Sequence, residues 1–141
     1  MQKNKSNLAF DHMSLTVGDF QESREWYWRV FGFELVEEGK SAKGSPWGIL
    51  RSGDSMLCLH EEKSRRALKR DDPSDESVHR IFHFGIRVHD RADWEARVSR
   101  EKIHVEYGGA YRYPHSTSWY VKDPTGHQIE VAYWDGDEVT F

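Results

Sequence analysis

The feature that most constrains this chain is that it writes one pattern twice. Asp11-His12-Met13-Ser14-Leu15-Thr16-Val17-Gly18-Asp19 resembles Phe82-His83-Phe84-Gly85-Ile86-Arg87-Val88-His89-Asp90, and Trp47-Gly48-Ile49-Leu50 resembles Trp119-Tyr120-Val121-Lys122. Each copy reads strand, helix, strand, strand, strand. The duplication predicts an α+β fold of two βαβββ modules, forming paired half-barrel sheets with their helices outside. A chain of 141 residues has room for one such domain around a shared core. Residues 8–134 are read as that domain: a first module over 8–60, a charged linker over 61–79 and a second module over 80–134. Residues 135–141 are a polar tail.

Local signals set the elements. Leu8 to Val17 alternates as a strand, with Phe10, His12, Ser14 and Thr16 on one side and Met13, Leu15 and Val17 on the other. Asp19 is placed to cap a helix that Gly32 ends at Phe31, with Phe20, Ser23, Tyr27 and Val30 on its inner face. Strands follow at 33–37, 47–51 and 55–60. In the second copy the expected strand begins near Arg80 and runs to Val88. Asp90 caps a helix to about Lys102, and Ile103 to Tyr107 reads as a short strand. The unit closes on a hairpin, where Asp123-Pro124-Thr125-Gly126 makes the turn and Trp119, Tyr120 and Val121 are expected to face Ile129, Val131 and Tyr133. The stretch 61–75 is dominated by charge, with room for a helical turn near Arg65-Arg66-Ala67-Leu68.

Composition narrows the function classes. A net charge of −4 gives no support for nucleic-acid binding, and the longest apolar runs are strand-length, too short for a membrane span. The single cysteine, Cys58, excludes an intrachain disulfide, and the polar N-terminus carries no secretory pattern. These features point to a soluble cytoplasmic protein.

Chemistry enters with Glu130, a carboxylate between Ile129 and Val131 in an apolar strand. Burying such a charge costs several kcal/mol unless a cation or a full set of donors meets it. His12 and His83 occupy equivalent positions in the two copies, each midway along a first strand among residues expected to be buried. A lone histidine on an apolar strand is more often a hydrogen-bonded core residue than a ligand. Symmetric placement together with the strand carboxylate favours metal. If the two first strands run side by side, His12, His83 and Glu130 form a facial set with open positions, suited to Fe(II), Mn(II), Zn(II), Ni(II) or Co(II).

The stretches Phe10 to Val17, Trp26 to Phe33 and Asp123 to Glu130 resemble the vicinal oxygen chelate superfamily, which includes glyoxalase I, fosfomycin- and bleomycin-resistance proteins and extradiol dioxygenases. The resemblance covers residues 8 to about 134. It implies that His12, His83 and Glu130 are metal ligands, and that the site is completed across a homodimer by exchange of modules. Tyr120, ten residues before Glu130, is similar to the substrate-orienting tyrosine of the extradiol enzymes. That likeness favours a ring-cleaving dioxygenase using Fe(II) or Mn(II), with His115 or His60 moving protons. A glyoxalase-type lyase and a fosfomycin-resistance-type thiol transferase are the alternatives within the enzymes; a non-catalytic drug-binding protein lies outside them. Where glyoxalase I carries a fourth ligand, this chain has Cys58, a strand residue read as packing.

Overall fold

The computed structural model of the protein describes residues 8–66 and 79–138. The first module contains β1 (His12–Val17), α1 (Phe20–Phe31), β2 (Glu34–Lys40), β3 (Pro46–Ser52) and β4 (Ser55–Glu61). The second contains β5 (Phe84–Arg87), α2 (Arg91–Arg100), β6 (Tyr111–Arg112), β7 (Ser116–Lys122) and β8 (Gln128–Trp134). Each module is a four-stranded mixed sheet, in the orders β1-β4-β3-β2 and β5-β8-β7-β6. The duplicated α+β architecture is therefore present. Among the described residues, no helix is long and apolar enough to cross a membrane.

The helix caps follow from the sequence. Asp19 is extended and its side chain accepts from the Glu22 amide, while Gly32 ends α1 with a left-handed φ of 72°. Asp90 caps α2 in the same way, through the Asp93 amide. Alternation divides each sheet into two faces. Leu15, Val17, Leu50, Leu57 and Leu59 of the first sheet, and Trp119, Val121, Ile129 and Val131 of the second, join Phe20, Tyr27, Val30 and Trp94 of the helices in one continuous core. His12, Ser14, Cys58, Tyr120 and Glu130 alternate with these residues and so occupy the opposite, open faces.

Four expectations need correction. Residues 103–107 form no strand, because Tyr107, Gly108 and Gly109 all take positive φ and turn the chain; the outer strand of the module is Tyr111–Arg112. β5 is shorter than read, so His83 stands just before it, and His12 opens β1 rather than lying midway. The hairpin register sets Tyr120 opposite Glu130 itself, with Trp119 opposite Val131 and Val121 opposite Ile129. Finally, β1 and β5 do not run side by side within the chain; they belong to separate sheets. The modules meet instead through their helix layers. Phe31 stacks on Trp94 with ring centroids 5.5 Å apart and planes 7° from parallel, and Arg97 donates to the Val30 carbonyl at 3.1 Å. The expected helical turn near residues 65–68 lies partly outside the described residues.

The Asp-Pro-Thr-Gly turn serves this contact. Asp123 Oδ1 accepts from the amides of Thr125, Gly126 and His127 at 2.9–3.0 Å, closing the turn on itself. Its Oδ2 accepts from the Tyr27 hydroxyl of α1 at 2.8 Å. Thr125 Oγ1 accepts from the Gly18 amide at 3.0 Å, and His127 Nε2 lies 2.7 Å from the Thr16 carbonyl. One turn of the second module thus docks on both ends of the β1–α1 connection.

Candidate metal centre

Glu130 stands on the open face of the central strand β8, between β5 and β7. Its Oε2 is 2.9 Å from His83 Nε2, with the two side chains 20% and 25% exposed. Its Oε1 accepts from Ser118 Oγ at 2.6 Å. Ser118 is two residues before Tyr120 on β7, so alternation brings it to the same face. The imidazole and the carboxylate thus meet directly, and the other carboxylate oxygen is held by a hydroxyl.

Tyr120 forms the floor beside them. Its ring meets the His83 ring edge-on at 5.9 Å, and its hydroxyl is 2.9 Å from that of Tyr113. Burial first, then the hydrogen bond with Tyr113 and the charge of Glu130, hold the Tyr120 phenol protonated well above its ordinary range. At neutral pH it is a hydrogen-bond donor. Tyr107 also packs edge-on against Tyr120, with ring centroids 5.5 Å apart. Two cations flank Glu130 along the sheet: Arg87, whose guanidinium lies over the Trp134 ring at 5.5 Å, and Lys122, 3.9 Å from Glu106.

His12 is elsewhere. Its Nδ1 is 2.6 Å from Asp11 Oδ2 on the open face of the first sheet, with its side chain 45% exposed rather than buried. Among the described residues, no three His, Cys, Asp or Glu side chains are grouped to hold a metal ion, so His12 does not join His83 and Glu130 within one chain. His60 is exposed on β4, opposite Thr16 and Trp47. His115 is exposed five residues ahead of Tyr120, about 17 Å away along an extended strand. Neither is brought to the His83–Glu130 pair.

Register makes the relation between the two copies exact. Ser14 pairs with Cys58 as Gly85 pairs with Glu130, so Cys58 holds the place of the carboxylate in the first sheet. Burial, aided by the Asp11 carboxylate, raises the Cys58 thiol above its ordinary range, which disfavours a thiolate there.

The residues present fit a divalent cation in part. His83 Nδ1 is buried with no hydrogen-bonding partner, so contact with Glu130 alone leaves that ring incompletely satisfied. Nitrogen and carboxylate donors suit a borderline or hard divalent ion, but two protein donors fall short of a facial set. A facial set would need a third donor from outside this second module.

Ser118, Tyr113, Tyr107 and Arg87 were not singled out by sequence reasoning. Ser118 was legible in principle, since alternation from Tyr120 puts it on the Glu130 face. Tyr113 and Tyr107 lie on connections whose course no periodicity encodes.

Comparison with known proteins shows the family and the fold. Residues 9–131 match the Glyoxalase/Bleomycin resistance protein/Dioxygenase superfamily. The Metallothiol transferase FosB of Staphylococcus epidermidis is 23% identical over 125 residues, covering 87% of this chain and 80% of that protein. A lactoylglutathione lyase structure from Agrobacterium tumefaciens is 28% identical with a TM-score of 0.63, over 89% of this chain and 92% of that one. The fosfomycin resistance protein FosX of Listeria monocytogenes, in complex with Mn(II) and sulfate, superposes with a TM-score of 0.64 at 15% identity, over 89% and 91% of the two chains.

Proposed function

The chain belongs to the Glyoxalase/Bleomycin resistance protein/Dioxygenase superfamily, and on that premise we propose that it is a metal-dependent enzyme acting on a small molecule with two adjacent oxygens. His83 and Glu130 of one copy, with His12 of a second copy, hold the divalent cation, Fe(II) or Mn(II) by preference. The observation that carries the reading is the convergence of His83 Nε2 and Glu130 Oε2, buttressed by Ser118. The sheet edges support the pairing of copies. β1 and β5 are terminal strands of their sheets, and Leu8, Phe10, Ile81 and Phe82, just ahead of them, are exposed large apolar residues. Joining β1 of one copy to β5 of another would cover these residues and carry His12 toward the pair.

The reaction we favour is extradiol-type ring cleavage. A bound Fe(II) supplies Lewis acidity and electron transfer to dioxygen. Tyr120, protonated and beside Glu130, donates a hydrogen bond to one oxygen of the diol and fixes the ring's orientation. The aromatic surround of Tyr107, Tyr120 and Tyr113 excludes water from one side of the ring. Both atoms of O2 enter the product as the carbon–carbon bond beside the hydroxylated carbons breaks. With His115 and His60 distant within the chain, Tyr113, hydrogen-bonded to Tyr120, is the nearer route for a proton.

A second reading is favoured by Arg87 and Lys122 on the same face and by the likeness to FosB: metal-assisted addition of a thiol to an anionic epoxide. Anaerobic Fe(II) loading followed by a catechol panel in air separates the two. Yellow ring-opened product supports the first. Loss of fosfomycin that requires thiol, without colour, replaces it by the second. Protein that retains no stoichiometric metal when purified without chelator refutes both.

A further inference from the structure

One guanidinium ties down the short connection between β6 and β7. Arg112, the last residue of β6, meets Asp135 as a fork: Nη1 donates to Oδ1 at 2.9 Å and Nη2 to Oδ2. Nη2 also donates to the Pro114 carbonyl at 3.2 Å, and Nη1 to Thr117 Oγ1 at 3.3 Å. Asp135 directly follows β8, and its amide donates to the His115 carbonyl at 3.0 Å. The Tyr113 amide donates to the Ser116 carbonyl at 2.9 Å. Residues 113–115 are therefore bound to β6, to β7 and to the end of β8 at once.

Global stability gives little reason for so much bonding at a surface. The Arg112 and Asp135 side chains are 55% and 40% exposed, and an ion pair in water contributes little. Its effect is local. The connection carries Tyr113, whose ring lies against Tyr111 with centroids 4.7 Å apart and whose hydroxyl is 2.9 Å from that of Tyr120. Tyr120 in turn stands opposite Glu130 and edge-on to His83. A chain of contacts thus runs from an exposed guanidinium to the face where His83 and Glu130 meet.

We propose that Arg112 is a positioning residue: with Asp135 it fixes Tyr113, and Tyr113 sets the direction in which the Tyr120 hydroxyl donates. This rests on the reading of that face as a substrate site and goes beyond it, since Arg112 acts through two other side chains. Either phenol can donate in the Tyr113–Tyr120 bond. When Tyr113 donates to the Tyr120 oxygen, the Tyr120 proton is left to face a substrate oxygen beside Glu130. Holding Tyr113 in place before the substrate arrives removes the cost of ordering that donor on binding.

The test is a double-mutant cycle on the full chain, read by anaerobic absorbance titration of the Fe(II)-loaded protein with 4-nitrocatechol. Arg112→Met removes the fork and keeps an unbranched side chain, Asp135→Asn weakens the fork from its other end, and Tyr113→Phe removes the hydroxyl. Each is expected to weaken 4-nitrocatechol binding about fivefold, the range of one hydrogen bond, with metal affinity in chelator competition unchanged. The Arg112→Met/Tyr113→Phe double variant is expected to bind as Tyr113→Phe alone does, because Arg112 then has no hydroxyl left to position. Losses that multiply in the double variant overturn the proposal, as does an Arg112→Met chain that binds the probe as the wild type does. Wild-type protein that takes up metal but not 4-nitrocatechol overturns the substrate reading of the face and the positioning role together.

Discussion

Replacing Tyr27 by Phe removes one oxygen atom and tests how the two modules are held together. In the native chain Asp123 is nearly inaccessible and Tyr27 wholly so. The four donors on Asp123 are divided three to Oδ1 and one to Oδ2, the last being the Tyr27 hydroxyl. Phe fills the same space, so no large cavity opens, but Oδ2 is left buried without a donor. A hydrogen bond to a charged group contributes about 1.5–3 kcal/mol, and the loss here falls on the buried partner, so a destabilisation of about 2 kcal/mol is expected. With a urea slope of about 2 kcal/mol per molar for a domain of this size, the midpoint falls by about 1 M at unchanged slope. Amide exchange should quicken at Gly18 and His127, whose contacts cross the same junction. A loss below about 0.5 kcal/mol would mean that water reaches Asp123 and that the turn is not a latch.

Other outcomes follow from the same contacts. Ser118→Ala frees Glu130 Oε1 and is expected to weaken divalent-metal affinity by about tenfold in chelator competition, while Ser118→Thr, which keeps the hydroxyl, restores most of it. Gly48→Ala would bring a methyl group within 2.7 Å of Phe20 and 2.8 Å of Leu35, and is expected to destabilise by about 1–3 kcal/mol in the same urea assay. Mixing His12→Ala chains with Glu130→Gln chains, each inactive alone, should restore activity, because each mixed dimer regains one intact site; no recovery after subunit exchange would argue against a site shared between copies. Burial, followed by the Asp123 charge, raises the Tyr27 phenol well above 10. The folded chain therefore keeps a proton that the unfolded chain releases above pH 10. Stability should fall from that pH upward, and less steeply in Tyr27→Phe.

Strong local signals carried most of the fold. Asp19 and Gly32 bound α1 at the residues their chemistry dictates, and the Asp-Pro-Thr-Gly turn fixes the hairpin. The repeat likewise makes the equivalence of Cys58 and Glu130 legible, since Leu57-Cys58-Leu59 aligns with Ile129-Glu130-Val131. What failed to show was long-range or conformational. Ile103 to Tyr107 has strand composition, yet positive φ at Tyr107, Gly108 and Gly109 overrides it. The expectation that β1 and β5 run together was a statement about packing, which a pattern of strands and helices does not determine. Helix-layer contacts such as Phe31 on Trp94 decide it within this chain.

The divergence of the two copies bears on why the proposed site would draw on both modules. In the second sheet, Glu130 has a histidine on one oxygen and a serine on the other. In the first, the equivalent strand position is Cys58, and His12 has turned to Asp11, an exposed neighbour in sequence. Two full sets of donors would give each module its own half-satisfied carboxylate, at several kcal/mol for any charge left buried and unpaired. Keeping the carboxylate in one copy and a thiol in the other removes that penalty from the first module. It also leaves His12 accessible, its contact with Asp11 being an exposed one of little energetic weight. The histidine in the weaker local environment is thus the one free to leave it, and the tightly held His83 is the one that stays with Glu130. A measurement of metal affinity against protein concentration reads this directly. Affinity that rises as the chain associates supports recruitment of His12 from a second copy, and affinity independent of concentration well below the dimer dissociation constant contradicts it.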